Sequence, residues 1–369
     1  MSYGDIIRLN RYREFLNGKQ QTCSFISLNP SSFAATFAGK TGGYPTLDDE
    51  VAFHKAFPND SMIALSSAVF PDLVPTLKWQ RKCIEKKSDG STIWQETIRI
   101  PTGIKTRVVA EQPGTTNWLM EPAVKSYDDF DLIDFYSTQI TEHATIIAAD
   151  IKKKIPEITN VGLMAGAVIL SAFEMHYLID YPDMPLFYID NPLRYMESVK
   201  RVHANNLALL DAFAGTGIEI IFTGSAGLEL LSPQIFREAI VPFQREFNDY
   251  ARSLKMHSCY HICGHSRQLI EMKIIDQIKP TIFETCSSPP CGNNLDLRKA
   301  VFEINEEIIT KGNLPLELLL EGTPAKIMEA VHFIKEKTAG RRHIIGQADA
   351  TILDGTPHEN IRAFIQAAQ

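Results

Sequence analysis

The sequence SPQIFREAIVPFQREFNDYARSLKMHSCYHI, residues 232–262, contains the pattern of one helix followed by one strand. It begins with a serine suited to cap a helix and a proline suited to the first turn, which predicts a helix over Pro233–Ser253. The short apolar run His257–Ile262 is typical of a buried strand, and so is Ile218–Phe222 before the helix. A strand, a helix and a second strand in this order predict a parallel β-α-β unit.

The same alternation extends along the chain. The candidate strands are Thr22–Leu28, Ser61–Leu65, Asn160–Gly166, Ile218–Phe222, His257–Ile262, Thr281–Glu284, Ile309–Asn313 and His343–Gly346. Helical stretches such as Pro192–Ala214 lie between most of them. Eight such units in 369 residues favour a (β/α)8 TIM barrel over an open doubly wound sheet, because no glycine-rich phosphate loop follows an early strand. We therefore predict an α/β fold with residues 1–369 as one barrel domain.

Residues 90–124 interrupt this alternation. The stretch Thr92–Ile98, a turn at Pro101–Gly103 and the stretch Lys105–Ala110 have the pattern of a β-hairpin. We expect an inserted hairpin beside the mouth of the barrel. The alternative is an edge hairpin that only covers the barrel.

Composition excludes several classes of protein. With 44% hydrophobic and 22% charged residues, the chain is typical of an ordinary globular protein and not of a disordered one. A net charge of -7 disfavours a general binder of nucleic acid or of anionic membranes. The richest apolar stretch, Val161–Ile179, contains Glu174 and is interpreted as core, and the mixed-charge N-terminus lacks a secretory pattern. We therefore expect a cytoplasmic protein with no membrane and no nucleic-acid partner.

A cluster of cysteines and histidines gives the first indication of function. His261 and Cys263 are two apart in a predicted strand, so their side chains leave the same face with alpha carbons about 6.6 Å apart. An imidazole and a thiolate at that spacing can share one zinc ion, and at the end of the next predicted strand either Glu284 or a cysteine, Cys286 or Cys291, could supply a third ligand. Three ligands and an open position would make a catalytic zinc site. The alternative is that the His-x-Cys pair is simply packed, as Cys259 on the same strand would be.

Several short motifs resemble, in their order along the chain, the uroporphyrinogen decarboxylase superfamily. Within it they are most similar to the cobamide-dependent methyltransferases, which move methyl groups to or from corrinoid proteins. The motifs are Arg13–Gly18 (REFLNG), Glu111–Asp129, Asp190–Pro192 (DNP), Phe222–Pro233 (FTGSAGLELLSP), His261–Gly264 (HICG), Gly312–Asn313 (GN), Glu321–Pro324 (EGTP) and Gly355–Ile361 (GTPHENI). The resemblance implies a barrel that uses zinc and a cobalamin carried by a corrinoid protein partner.

Two departures from the family pattern restrict the expected activity. The arginine-rich N-terminal segment of the decarboxylases is missing, since Leu28–Ser32 (LNPSS) stands near the first strand, so porphyrinogen decarboxylation is not expected. Relatives that methylate a thiol carry a late cysteine on the last strand, where this chain reads Ile345–Asp349 (IGQAD). The resemblance of Ile282–Thr285 to cobalamin-independent methionine synthase implies Glu284 as third ligand, and Cys286 or Cys291 is the alternative.

The absence of the late cysteine leads to a prediction about the direction of methyl transfer. We expect an O-demethylase that moves a methyl group from a small methylated donor, most plausibly a methoxylated aromatic, to the cob(I)alamin of a corrinoid protein. Zinc at His261, Cys263 and Glu284 would bind the ether oxygen. Glu284 and His265 are the candidate catalytic residues, and His265 would donate a proton or support a ligand. The alternative for His265 is a surface residue at the start of a helix.

The remaining predictions concern the substrate and the partners. Candidate substrate-binding residues are Phe37, Tyr44, Trp118, Thr223, Ser225 and Gln347. The aromatic ones could instead be core, and the hydroxyls could bond their own backbone. A homodimer is possible. Two alternatives to O-demethylation remain open: a methylcorrinoid:coenzyme M or tetrahydrofolate methyltransferase, and a noncatalytic member that binds a tetrapyrrole or corrinoid.

Overall fold

Twelve strands form two sheets in the computed structural model, which describes residues 3–19, 25–30, 32–40, 45–65, 73–112, 118–348 and 351–369. In chain order the strands are β1 (Phe25–Ser27), β2 (Met62–Leu65), β3 (Gln80–Lys86), β4 (Thr92–Ile100), β5 (Gly103–Glu111), β6 (Trp118–Glu121), β7 (Met164–Val168), β8 (Ile220–Ala226), β9 (His257–Cys263), β10 (Ile282–Glu284), β11 (Ile309–Leu314) and β12 (His343–Gln347).

The eight strands other than β3–β6 pair in parallel in the order β1-β12-β11-β10-β9-β8-β7-β2. The two end strands meet beside Asp60, whose backbone N–H donates to the carbonyl of Ile26 at 2.6 Å. In return the N–H of Ile26 donates to the Asp60 carboxylate at 3.0 Å, which closes the sheet into a barrel. Each of the eight strands predicted from the sequence overlaps one of these strands. The predicted (β/α)8 barrel is confirmed.

Helices cover the outer face of the barrel. They are α1 (Tyr3–Leu16), α2 (Ser32–Phe37), α3 (Leu47–Ala56), α4 (Phe130–Glu142), α5 (Ala144–Thr159), α6 (Asp183–Asp190), α7 (Pro192–Phe213), α8 (Pro233–Ile235), α9 (Val241–Ser253), α10 (Arg267–Glu271), α11 (Ile274–Ile278), α12 (Leu297–Glu303), α13 (Leu316–Glu321), α14 (Pro324–Thr338) and α15 (His358–Ala368). Among the described residues, no helix combines the length and the apolar character that crossing a membrane requires.

The predicted helix over 233–253 is divided by a π-helical turn at Phe236–Ile240. Its beginning is as expected, because the Ser232 side chain accepts from the N–H of Ile235 at 3.2 Å. Pro242 explains the division. Proline has no N–H to donate to the carbonyl four residues earlier, so the regular α-helical ladder cannot pass through this point.

Helix α1 lies against the N-terminal end of the barrel. Its side chains Tyr12 and Phe15 are buried with inward-facing strand residues such as Phe25, Ile220 and Ile282 in one apolar cluster. The cluster fills the N-terminal end of the barrel. The polar side chains of β9–β11 lie above it, toward the carboxyl ends of the strands. The barrel is therefore closed at its N-terminal end, and the candidate site lies at the other.

The REFLNG motif fixes this helix to the barrel. Arg13 donates from Nε and Nη2 to the two carboxylate oxygens of Glu219, just before β8, at 2.6 and 2.8 Å. We expect Arg13→Ala to lower the free energy of unfolding by about 1 kcal/mol, because a bidentate, partly exposed ion pair is lost. Urea denaturation of Arg13→Ala, Glu219→Ala and the double variant tests this. Fully additive losses in the double variant would show that the pair contributes no coupling.

The predicted insertion is larger than a hairpin. Strands β3–β6 form a four-stranded antiparallel sheet from Gln80 to Glu121, and the predicted hairpin is its central pair, β4 and β5. The added strand β3 (QRKCIEK) is exposed at all seven positions, so it has no apolar alternation that would predict it from the sequence. The predicted boundary at residue 90 was therefore ten residues too late.

Candidate functional site

Three polar side chains from neighbouring strands share one level inside the barrel. In the register of the sheet, Glu284 of β10 pairs with His261 of β9 on one side and with Lys311 of β11 on the other. We call these three residues the His-Glu-Lys layer. It lies one step above the apolar residues Cys259, Ile282 and Ile309, toward the carboxyl ends of the strands. This is the end at which barrel enzymes carry their active sites.

Glu284 and Lys311 form a buried ion pair. The Lys311 ammonium Nζ donates to Glu284 Oε2 at 2.8 Å, and the two residues are 6% and 1% exposed, respectively. Burial raises the pKa of Glu284, but the charge of Lys311, with a smaller contribution from the neighbouring His261, outweighs it, so its pKa lies below the ordinary value. Burial likewise lowers the pKa of Lys311, and the Glu284 charge reverses the shift, so its pKa is raised. Both groups are therefore charged at neutral pH.

His261 lies beside this pair. Its Nδ1 is 3.9 Å from Glu284 Oε1, and its ring centroid is 5.8 Å from that of Phe222 on β8. The histidine itself is 7% exposed. The imidazole is thus held between an aromatic ring and a carboxylate, an arrangement suited to a general base or acid.

Cys263 ends β9 at the rim and is exposed. The chain then turns at Gly264, which has a φ of +106°, and a Cβ there would clash with the carboxylate of Glu229. That carboxylate accepts from the backbone N–H of His265 at 2.8 and 2.9 Å. Glu229 therefore holds the turn that follows Cys263. Sequence reasoning missed it, although it lies in the FTGSAGLELLSP motif.

His265 makes its side-chain contact with the same carboxylate. Its Nε2 is 3.4 Å from Glu229 Oε1, and its side chain is 43% exposed. The structure thus places this candidate proton donor at the rim, paired with Glu229. Its predicted catalytic role stays a prediction.

The three predicted zinc ligands are only partly brought together. His261 and Glu284 are neighbours on adjacent strands, and Cys263 lies two residues after His261 on β9. Among the described residues, however, no group of three His, Cys, Asp or Glu side chains is arranged to hold a metal ion. The carboxylate that should complete the set is already bound by the Lys311 ammonium, and a second cation on the same carboxylate would be repelled. The residues present do not fit a three-ligand zinc site.

The alternative third ligands lie elsewhere. Cys286 is fully buried in the apolar layer between sheet and helices, and this burial raises the pKa of its thiol to about 12. Cys291 lies in the loop after β10, where its Sγ is 3.8 Å from Glu317 Oε1. Neither cysteine belongs to the His-Glu-Lys layer.

Thr223 and Ser225 face away from the barrel interior. Ser225 accepts from the hydroxyl of Tyr260 at 2.7 Å, in the layer between sheet and helices, and Thr223 lines a small cavity with helix residues such as Asn206. Neither residue therefore faces the interior of the barrel, contrary to the prediction that both bind substrate there. The reason is strand alternation: Gly224 is the register partner of the inward-facing His261, so its two neighbours point outward.

The other predicted substrate-binding residues are also dispersed. Phe37 packs edge-on against Phe53 and beside His358, within an aromatic cluster of α2, α3 and α15. Trp118 is 70% exposed on β6 of the inserted sheet. Tyr44 lies outside the described residues. The structure does not bring Phe37 and Trp118 to the His-Glu-Lys layer.

Strand β12 contains the region where thiol-methylating relatives carry their late cysteine. Gln347 is 1% exposed, and its amide both accepts from the N–H and donates to the carbonyl of Asn29 at 3.3 Å. The adjacent Gly346 lies against Lys311, since a Cβ built on it would be 3.3 Å from Lys311 Cε. Gln347 thus ties β12 to the loop after β1, and Gly346 leaves room for the lysine.

Comparison with known proteins places the chain among enzymes of one family. Residues 103–369 match the profile of the family described as uroporphyrinogen decarboxylase (URO-D). The chain is 22% identical over 330 residues to the methylcobamide:CoM methyltransferase MtbA of Methanosarcina mazei, covering 82% of this chain and 88% of that protein. It is 21% identical over 303 residues to MtbA of Methanosarcina acetivorans, covering 74% and 79%. A solved structure described as a methyltransferase from Methanosarcina mazei matches with a TM-score of 0.65 at 13% identity, covering 98% of each chain.

Proposed function

The chain belongs to the uroporphyrinogen decarboxylase (URO-D) family, and from this membership we propose that it is a corrinoid-dependent methyltransferase of the cobamide-dependent branch. The observation that carries the proposal is the position of His261 and Cys263 at the carboxyl end of β9, in a chain whose curated relatives are named for methyl transfer from methylcobamide. The corrinoid, carried by a partner protein, would meet a small substrate at this end of the barrel.

The names of the relatives favour one direction of transfer. Both are methylcobamide:CoM methyltransferases, which supports a small thiol as the methyl acceptor. The sequence leaves this reaction open as the alternative to O-demethylation of a methoxylated aromatic. O-demethylation remains the second candidate because Gly346 and its neighbours in β12 provide no thiol at the position used by thiol-methylating relatives.

The proposed reaction uses His261 as general base. The imidazole takes the proton of the acceptor thiol, and the resulting thiolate attacks the methyl carbon of methylcob(III)alamin. A carbon–sulfur bond forms while the cobalt–carbon bond breaks, and its electron pair remains on cobalt as cob(I)alamin. Lys311 cancels the charge of Glu284, so the anionic sulfur can approach without meeting a bare carboxylate.

A spectroscopic assay tests this function. Anaerobic loss of methylcob(III)alamin is followed with coenzyme M and with homocysteine, and consumption of cob(I)alamin is followed with a panel of methoxyarenes. We expect turnover with a thiol. His261→Ala should lower kcat by about 100-fold, because the base is lost. His332→Ala, at an exposed histidine of α14, is the matched control and should retain full activity.

Two results would contradict the proposal in different ways. Consumption of cob(I)alamin with a methoxyarene, without turnover of any thiol, would establish the second candidate. No reaction of either kind, in the presence of a corrinoid protein as well as free cobalamin, would favour a noncatalytic corrinoid-binding protein.

A further inference from the structure

Lys311 places a positive charge inside the barrel, at the level where the family resemblance implies a metal. Its side chain is 8% exposed, and its ammonium contacts Glu284 Oε2 at 2.8 Å. Cys259 Sγ donates to the same carboxylate oxygen at 3.5 Å from the level below. One oxygen of the predicted ligand is therefore shared by two donors of the chain itself.

We propose that the Lys311 ammonium is the resident cation of this site and takes the place of a zinc ion bound to Glu284. The inference concerns which cation neutralises Glu284. It is independent of the proposed methyl transfer, because it can be true or false whatever the acceptor is.

The neighbouring strand is adapted to this lysine. A Cβ on Gly346 of β12 would lie 3.3 Å from Cε and 3.5 Å from Cγ of Lys311, and 3.1 Å from the carbonyl of Ser27. A larger residue at position 346 would press against the lysine stem in a closely packed interior. The lysine on β11 and the glycine on β12 therefore fit together, and the region without the late cysteine is the region that accommodates the lysine.

Electrostatic repulsion disfavours the binding of both cations, the Lys311 ammonium and a zinc ion, to Glu284 at the same time. A zinc ion coordinated by Glu284 would share that carboxylate with the Lys311 ammonium, which contacts Oε2 at 2.8 Å in a buried region where charges are poorly screened. Lys311 is buried beside this carboxylate and cannot leave it without carrying its charge out of the barrel. Zinc would then be left with His261 and Cys263, and two protein ligands bind it more weakly than three or four.

Zinc titration of the chelator-treated full chain tests the proposal, with a chromophoric chelator as competitor. We expect wild type and Glu284→Gln to have zinc Kd values within about threefold of each other, because Glu284 is not a ligand. Lys311→Met should bind zinc at least about tenfold more tightly, since it frees the carboxylate. This gain should disappear in Lys311→Met/Glu284→Gln. Lys299→Met, at a lysine 57% exposed on α12, is the matched control and should bind as wild type does.

The opposite pattern would overturn the proposal. One zinc per wild-type chain, with a loss of about tenfold or more in Glu284→Gln, would make Glu284 a ligand. Lys311→Met with unchanged zinc affinity would show that the lysine does not exclude the metal. If Lys311→Met does not fold, the comparison of wild type with Glu284→Gln decides alone. The measurement uses no turnover, so its failure is distinguishable from a failure of the proposed function.

Discussion

Lys311→Met is expected to lower the free energy of unfolding by about 3–5 kcal/mol, because it leaves the Glu284 carboxylate charged and buried without its ammonium partner. Glu284 is 1% exposed, so water cannot replace the lost ion pair. The remaining donor to Oε2 is the Cys259 thiol at 3.5 Å, which is a weak one. A surface lysine would give a far smaller effect.

Urea denaturation followed by circular dichroism measures this loss, with Lys299→Met as control. The control should change stability by less than about 0.5 kcal/mol. A double variant, Lys311→Met/Glu284→Leu, should recover most of the loss, because replacing both charges by apolar groups removes the uncompensated charge. A loss of less than about 1 kcal/mol in Lys311→Met would mean that the two groups are not a charged buried pair in solution.

The barrel was predictable because its signals are local. Each buried strand is a short apolar run, and helices with recognisable caps separate these runs, as Ser232 does before α8. The inserted sheet was only half predictable. Its strand β3 lies fully exposed, so no burial pattern marks it, whereas β4 alternates enough to be identified.

Those parts of the site that depend only on the pairing of neighbouring strands were predictable. His261 and Glu284 lie near the carboxyl ends of adjacent parallel strands, and the structure places His261 Nδ1 3.9 Å from Glu284 Oε1. The outward orientation of Thr223 and Ser225 was not predictable without knowing which residue of β8 pairs with His261. A one-residue change of phase moves every side chain to the other face.

Lys311 was missed although the sequence contained a signal for it. The strand Ile309–Leu314 (ITKGNL) is buried at all six positions, and its second inward residue is a lysine. A charged residue inside such a strand requires a partner of opposite charge, and Glu284 on the adjacent strand was already a candidate residue. A predicted ion pair between Lys311 and Glu284 would have been an argument, from the sequence alone, against Glu284 as a zinc ligand.

Glu174 is a second buried carboxyl group near the rim. It lies in the 3₁₀ turn Ala172–Tyr177 after β7 and is 2% exposed. Its Oε1 accepts from the N–H of Ala226 at 2.8 Å, and its Oε2 accepts from the Tyr181 hydroxyl at 3.1 Å. Ala226 is the register partner of Cys263, so this carboxyl supports the strand end beside the candidate site.

Burial raises the pKa of Glu174 from 4.5 to about 7, in spite of the hydrogen bonds that favour its charged form. The folded state therefore holds the proton more tightly than the unfolded state does. The stability that this proton contributes is fully present below pH 4.5, falls as the pH rises and is lost above about pH 7. A shift of this size corresponds to about 3 kcal/mol.

Glu174→Gln should remove this pH dependence. The neutral amide can still accept from Ala226 and contact Tyr181, so the variant should be more stable than wild type by up to about 3 kcal/mol at pH 8, with the difference closing toward pH 5. Urea denaturation across this pH range measures it, with Glu197→Gln as control, because that side chain is 58% exposed on α7. Parallel stability curves for wild type and Glu174→Gln would show that the carboxyl does not titrate near neutral pH. Glu174 holds the strand end beside Cys263. A confirmed difference at pH 8 would therefore mean that a buried negative charge at the rim of the candidate site destabilises the folded state at alkaline pH.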